Sequence, residues 1–269
     1  MNNLFTLMII LIGLLIIVTI MSILWLVHLK TKNASFVDIG WATGILIMSF
    51  LFFLFLDGYQ PRKNLVIFII SIWAIRLILL LVTRIKNDRR EDKRYSRIRN
   101  DWNLKDYNTN FLFYLLFQFQ GILSIILSIP VLIVCLNPST TISKIEILGV
   151  LVSLIGIIFE TVADLQLKNY KSIKENKNKV FDKGLWKYSR HPNYFFEWLV
   201  WVGLFIFAIP APCGLWAIIA PALMLYFLIM QTGINMTERE CLESKGEDYA
   251  LYQKRTSSFV PLPKMKGTQ

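Results

Sequence analysis

Seven long apolar runs, separated by short and mostly basic loops, decide what this chain can become. A helix needs about 20 apolar residues to cross the hydrocarbon core of a bilayer, where every backbone polar group must find its partner within the segment. The runs are Leu4–Val27, Val37–Leu56, Leu65–Ile85, Phe111–Leu136, Ile145–Leu167, Tyr194–Ile209 and Gly214–Gly233. The sixth is the shortest and stops at Pro210 and Pro212, which cannot continue a helix. Pro130 and Pro221 lie inside runs, where a bundle tolerates kinks. The expected fold is all-α: one polytopic bundle of about seven transmembrane helices, with residues 1–269 forming a single domain. The first run has no basic leader and no small-residue cleavage site, so it reads as a retained helix rather than a signal peptide.

Charge orients the bundle. The net charge of +11 suits a nucleic-acid binder, but the basic residues do not gather on one surface of a soluble domain. With the N-terminus outside, the outer loops hold only Arg62, Lys63 and Lys144. Apart from Arg76, which lies within a run, every other lysine and arginine falls on the inner side. Seven spans, N-out and C-in, therefore obey the positive-inside rule at each loop, and the charge reports topology. The expected location is a bacterial inner membrane, with membrane lipids as partners and no nucleic acid. Three widely spaced cysteines, two histidines and the lack of a CxxC pair argue against a disulfide framework and a zinc site, so no metal is expected.

Several polar groups sit where a bilayer makes them costly. Asp38 opens the second run and Arg76 lies in the third, about nine residues or roughly 14 Å from its inner end. Glu160, Asp164 and Lys168 form a stripe at helical spacing that climbs to the inner surface. Asn193 and Glu197 descend from that surface on one helix face, just after Pro192, a residue suited to a first turn. Glu146, at the outer end of the fifth run, reads as interfacial. Asp38 also suits a helix start, Asp164 with Lys168 a surface pair, and Trp186, Tyr188, Tyr194 and Trp198 an interfacial belt. Taken together, the acids, the amide and the arginine favour a pocket open to the cytoplasm, polar at its mouth and apolar below. Basic loops and the N-terminus of the sixth run lie beside it and suit phosphates. No GxGxxG occurs, so a nucleotide site here is built from helices.

The stretch GLWKYSRHPNYFFEW, with ETVADLQLKNYK before it and ERECLESKGEDYALYQKRTSSFVP after it, resembles the C-terminal half of the steroid 5-alpha-reductase family. With SFVDIGW and WAIRL included, nearly the whole chain resembles a bacterial branch of that superfamily catalogued as a domain of unknown function. The match is strongest over residues 160–261. The resemblance implies a seven-helix membrane fold and an NADPH-dependent reductase of an activated C=C bond in a steroid-like or other lipophilic substrate. It implies a cofactor cavity facing the cytoplasm, with Glu160, Asp164, Tyr188, Asn193, Tyr194 and Glu197 at matching positions. Arg239 is similar to a position near the cofactor phosphates, and Tyr249 and Tyr252 lie in the same tail motif. Within that picture Asn193 and Glu197 hold the nicotinamide carboxamide, Glu160 and Asp164 bind ribose or amide groups, and Arg190 and Arg239 with nearby lysines take the phosphates. His191 completes the cofactor set.

Two departures qualify the resemblance. RHPNY followed by a glutamate and an apolar run also resembles the integral-membrane methyltransferases of the isoprenylcysteine and phospholipid type, which use S-adenosylmethionine and carry an acidic tail pair, as Glu238 and Glu240 are here. Phe196 stands where those enzymes commonly have glycine. The reductases themselves use a glutamate in the second span and a tyrosine in the third. Here those neighbourhoods offer Asp38 with Trp41, and Trp73 with Arg76. The expected catalytic pair is thus Arg76, stabilising charge on the substrate oxygen, and Asp38, orienting it or supplying a proton. A non-catalytic lipid-binding protein is a further alternative.

Overall fold

The computed structural model describes residues 3–88, 90–176, 178–231 and 233–264. Arg89, Lys177 and Lys266, counted above on the inner side, lie outside the described residues. Every described element is helical, in chain order α1 (Asn3–Thr31), α2 (Phe36–Phe55), α3 (Gln60–Asn87), α4 (Lys93–Leu104), α5 (Thr109–Leu127), α6 (Ile129–Leu136), α7 (Lys144–Ser172), α8 (Pro192–Ala208), α9 (Ile219–Tyr226) and α10 (Ile234–Arg255). Six segments are long and apolar enough to cross a membrane, and α8 is a shorter apolar helix. This is a polytopic membrane bundle, as the apolar runs require.

The expected runs differ from the helices where backbone chemistry intervenes. The fourth divides into α5 and α6 because Pro130 has no N–H to donate. Ser128 bridges the break: its N–H reaches the Ser124 and Ile125 carbonyls and its hydroxyl donates to Ser124 O at 2.7 Å. The basic segment after α3, expected as a loop, contains α4, started by Asp92, whose side chain accepts from Arg94 N. The seventh run opens as a 3₁₀ turn, Gly214–Ile218, and ends in a π-helical turn, Phe227–Gln231.

The helices form two compact units. The first runs from the first described residue to Ile147 and includes Phe207–Ala220. In it α2 packs on α1, α3 and α5, and α1 on α5. Small residues set the spacing. A Cβ on Gly44 would stand 2.5 Å from Ser124 Oγ, and one on Gly121 2.9 Å from Ile17 Cγ2. On α1 the buried positions are Ile9, Gly13, Ile17, Met21 and His28, while Leu4, Leu7, Leu11 and Leu15 are exposed for lipid.

Glu146 is not interfacial. It is buried and ion-paired to the equally buried Arg62. That guanidinium also donates to Ser139 O and Thr141 O, each at 2.5 Å, and Lys63 Nζ donates to Leu56 O at 2.6 Å. Arg62 and Lys63, expected on the outer side, therefore lock loops in place.

The second unit comprises Leu148–Ile206 and the chain from Pro221 onward. Its centre is the antiparallel pair α7 and α8. Gly149, Ser153 and Gly156 form a small-residue stripe, and a Cβ on Gly203 would lie 2.3 Å from Ser153 Oγ. Ser153 donates to Val200 O at 3.2 Å, and Phe159 stacks on Phe196. This register brings the stripe of Glu160 and Asp164 alongside that of Asn193 and Glu197.

Removing one partner of a buried ion pair costs about 3–5 kcal/mol, because the other charge stays buried. Arg62→Ala is therefore expected to lower the melting temperature in detergent markedly, while Lys144→Ala, at an exposed position, leaves it nearly unchanged. Equal melting of the two variants contradicts this account of the Arg62–Glu146 lock.

Candidate functional site

In the second unit the chain from Gly184 to Glu197 is folded back on α7 before it becomes α8. Gly184 has φ 58°, and a Cβ there would sit 2.5 Å from Gln166 Oε1. That same oxygen accepts from Leu185 N at 3.0 Å, and Trp186 Nε1 donates to Ala163 O at 3.1 Å. Glycine is required by both the dihedral and the space. Pro192 then begins α8.

The C-terminal segment closes over this turn. Arg190 N donates to Ser257 O at 2.8 Å, Ser189 Oγ to Phe259 O at 2.7 Å, and Leu262 N to Tyr188 O at 3.0 Å. Tyr252, buried on the last helix, donates its hydroxyl to Trp186 O. The Arg190 guanidinium fastens the whole: Nε to Glu238 Oε1 at 2.5 Å, and Nη1 to Thr256 O at 2.6 Å and Gln253 O at 2.8 Å. Gln253 Nε2 holds the other Glu238 oxygen at 2.8 Å. His191 Nε2 lies 3.3 Å from Glu238 Oε1, and its ring stacks on Tyr194 at 5.3 Å.

This geometry redistributes the expected roles. Arg190 and His191, expected at the cofactor, hold the tail through Glu238. Arg239 is exposed on α10. Tyr188 is 42% exposed beside Lys187. Tyr249 is buried against Tyr252, and Tyr194 Oη lies 3.4 Å from Thr237 Oγ1. Glu238, noted in the sequence only as half of an acidic pair, is the hub of the clamp. A glutamate on a polar helix gives no sign of a partner 48 residues away.

Between α7 and α8 the polar stripes do meet. Asn193 Nδ2 donates to Asp164 Oδ1 at 3.2 Å. Asn193 Oδ1 is shut off from solvent and has no hydrogen-bond partner in the protein. Glu160 and Glu197 are both buried, and Glu197 accepts from Trp201 Nε1 at 3.0 Å. The result is a shelf of two acids, a held amide and a buried glutamate at the polar end of the helix pair.

In the first unit Asp38 stands between Arg94, 2.9 Å from its Oδ2, and Tyr95, whose hydroxyl lies 2.5 Å from its Oδ1. Both Asp38 oxygens accept, one from Arg94 and one from Tyr95. Tyr95 carries the proton. Burial and the Asp38 charge hold its phenol well above its ordinary pKa. The sequence missed Tyr95 because α4 was read as loop. Arg76 is partly buried on α3.

The chain belongs to the family described as "Protein of unknown function (DUF1295)", whose model matches residues 24–256. It is 26% identical over 277 residues to "Uncharacterized protein C594.04c" of the fission yeast Schizosaccharomyces pombe, covering 93% of this chain and 79% of that one. The likeness thus extends to a eukaryote, outside the bacterial branch expected from the sequence. No solved structure matches.

Two outcomes follow from the clamp. Arg190→Ala leaves Glu238 without its guanidinium, at about 3–5 kcal/mol. It is expected to open the segment after Tyr252 to limited proteolysis, whereas cleavage at the wild-type rate contradicts the clamp. The second concerns pH. Burial lowers the His191 pKa below its ordinary value, against the pull of Glu238. The unfolded chain then takes up the proton first, so this contribution is complete above about pH 6.5 and is lost as pH falls toward the lowered value. The melting temperature is expected to fall between pH 7.5 and pH 5, and to fall less in His191→Gln. An identical fall in the variant excludes His191 as the titrating group.

Proposed function

For a chain whose family has no assigned activity, we propose a membrane-embedded NADPH-dependent reductase of an activated C=C bond in a lipophilic substrate, steroid-like or another lipid. One observation carries this reading: the buried, unpartnered Oδ1 of Asn193 beside a carboxylate that fixes its amide nitrogen. A buried acceptor without a donor costs about 1–3 kcal/mol, and that cost is recovered when a donor arrives. The nicotinamide carboxamide and the ribose hydroxyls are such donors.

The residues divide the cofactor among them. Asn193 and Glu197 take the carboxamide, Asp164 and Glu160 take ribose or amide groups, and Tyr188 with Tyr194 flanks them. Arg239 and the lysines of the α7–α8 connection take the phosphates, including a 2′-phosphate. When bound, the cofactor supplies a hydride to the β-carbon of an enone or a comparable alkene. Arg76 stabilises the charge that gathers on the substrate oxygen. Tyr95, held by Asp38, is the protonated group of the first unit. The orientation is N-out and C-in, with the cofactor entering from the cytoplasm. The methyltransferase reading loses weight because Glu238, half of the acidic pair it relies on, is committed to Arg190, His191 and Gln253.

Titration of the detergent-purified protein separates the readings. Saturable NADPH binding is expected, and Asn193→Ala and Glu197→Ala are each expected to weaken it about ten-fold, the scale of one lost buried hydrogen bond. Melting temperatures guard against unfolding. Binding of S-adenosylmethionine without NADPH overturns the proposal, and binding of neither favours a non-catalytic lipid-binding protein.

A further inference from the structure

α10 is two helical pieces joined at one glycine. Gly246 stands at φ 54°, ψ −130° within it, and a Cβ there would meet nothing within 4 Å. There is room for a side chain, so the dihedral alone calls for glycine. Residues 234–245 lie before this break and residues 247–255 after it. The first piece is bounded at its other end too, where the π-helical turn Phe227–Gln231 and Gly233, at φ −93° and ψ −102°, interrupt the helical ladder.

The two pieces are held differently. After Gly246 the chain is bonded to the turn before α8 at many points. Tyr252 Oη lies 3.3 Å from Ser189 O as well as bonding Trp186 O, and Arg255 and Lys264 both reach Asp182 Oδ2, at 3.1 and 3.2 Å. The Ser257, Phe259 and Leu262 bonds to that turn follow. Before Gly246 the bonds fall back on the helix itself: Ser244 Oγ donates to Glu240 O at 2.7 Å, and Lys245 Nζ lies 3.9 Å from Cys241 Sγ. Asn235, Arg239 and Leu242 are exposed. Glu238 fastens this piece to the turn, and Thr237 Oγ1 rests 3.4 Å from Tyr194 Oη.

Glu238 meets three nitrogen donors, and none belongs to its own piece. Arg190 Nε at 2.5 Å and His191 Nε2 at 3.3 Å come from the turn, and Gln253 Nε2 at 2.8 Å comes from beyond the break. A carboxylate only accepts, so the imidazole donates here. All three donors stay together if the first piece moves, because Arg190 Nη1 is bonded separately to Gln253 O and Thr256 O. Convergent guanidinium, imidazole and amide N–H groups suit a phosphate as well as a carboxylate.

We infer that residues 234–245 are a strap, hinged at Gly246 and latched by Glu238, and that a phosphate-bearing anion exchanges with the Glu238 carboxylate on Arg190, His191 and Gln253 and so frees the strap. Glu238 is the built-in occupant of an oxyanion site whose donors all lie on the fixed side of the hinge. The strap rests on the first turn of α8 at Tyr194, so its release changes access to the start of that helix. The exchange does not depend on which cofactor the shelf between α7 and α8 takes.

The test is a distance measurement by double electron–electron resonance on the full chain in detergent, with spin labels on Arg239→Cys in the strap and Lys187→Cys in the turn, both exposed positions. Cys213 and Cys241 are replaced by serine, and the buried Cys135 is kept. One short distance is expected without added anion. Inorganic pyrophosphate is expected to add a second, longer distance whose share saturates, while sodium chloride at equal ionic strength does not. Glu238→Gln is expected to show the longer distance without pyrophosphate, its share raised about ten-fold, the scale of one charge-assisted hydrogen bond. An unchanged distance in a folded Glu238→Gln overturns the latch. No response to pyrophosphate with Glu238 in place, or an equal response to chloride, overturns the exchange. The pyrophosphate titration keeps Glu238, so it decides the matter even if Glu238→Gln fails to fold.

Discussion

The second unit depends on one guanidinium. Arg190 is buried in the turn before α8, and a charge there is stable only when its donors are met. Glu238, the Gln253 carbonyl and the Thr256 carbonyl meet them, and all three come from the C-terminal helix and its extension. The ion pair thereby decides where the tail goes. It also fixes the start of α8, because Pro192 follows two residues after Arg190 and the backbone between them is bonded on both sides. Asn193 and Glu197 inherit their positions from that start. A shelf of acids and amide is thus a consequence of a clamp that touches none of them.

Close helix packing does the rest. Gly149, Ser153, Gly156 and Gly203 let α7 and α8 approach until backbone and small side chains touch. Lipid tails are as apolar as leucine, so this approach is driven by packing rather than by the hydrophobic effect. At that spacing Asn193 reaches Asp164, and neither is left to the bilayer. The same logic governs the first unit, where Gly44 and Gly121 admit their neighbours and where Arg62 and Asp38 each receive several partners.

The bundle was legible in the sequence because each span must satisfy its own backbone, which makes apolar length a nearly direct record of a helix. Asn193 and Asp164 were legible for a related reason: helical spacing puts polar residues on one face, and a membrane makes such a face expensive. What escaped was long-range pairing. Arg190 looked like a phosphate ligand and became a structural pin, since nothing local distinguishes a guanidinium that will meet a ligand from one that will meet a carboxylate on a distant helix. Tyr95 escaped because α4 has a polar, basic sequence whose helix depends on Asp92 as cap and on Asp38 as anchor. Glu146 escaped because its position at a run's end is compatible with either solvent or burial, and only Arg62 decides between them.

If the shelf between α7 and α8 is a nucleotide site, a cryo-electron-microscopy map of the protein with NADPH tests it most directly. The account requires nicotinamide or ribose density within hydrogen-bonding distance of Asn193 Oδ1, with the Asp164 contact to its amide nitrogen preserved. Nucleotide density elsewhere on the protein, with that oxygen still lacking a donor, contradicts it.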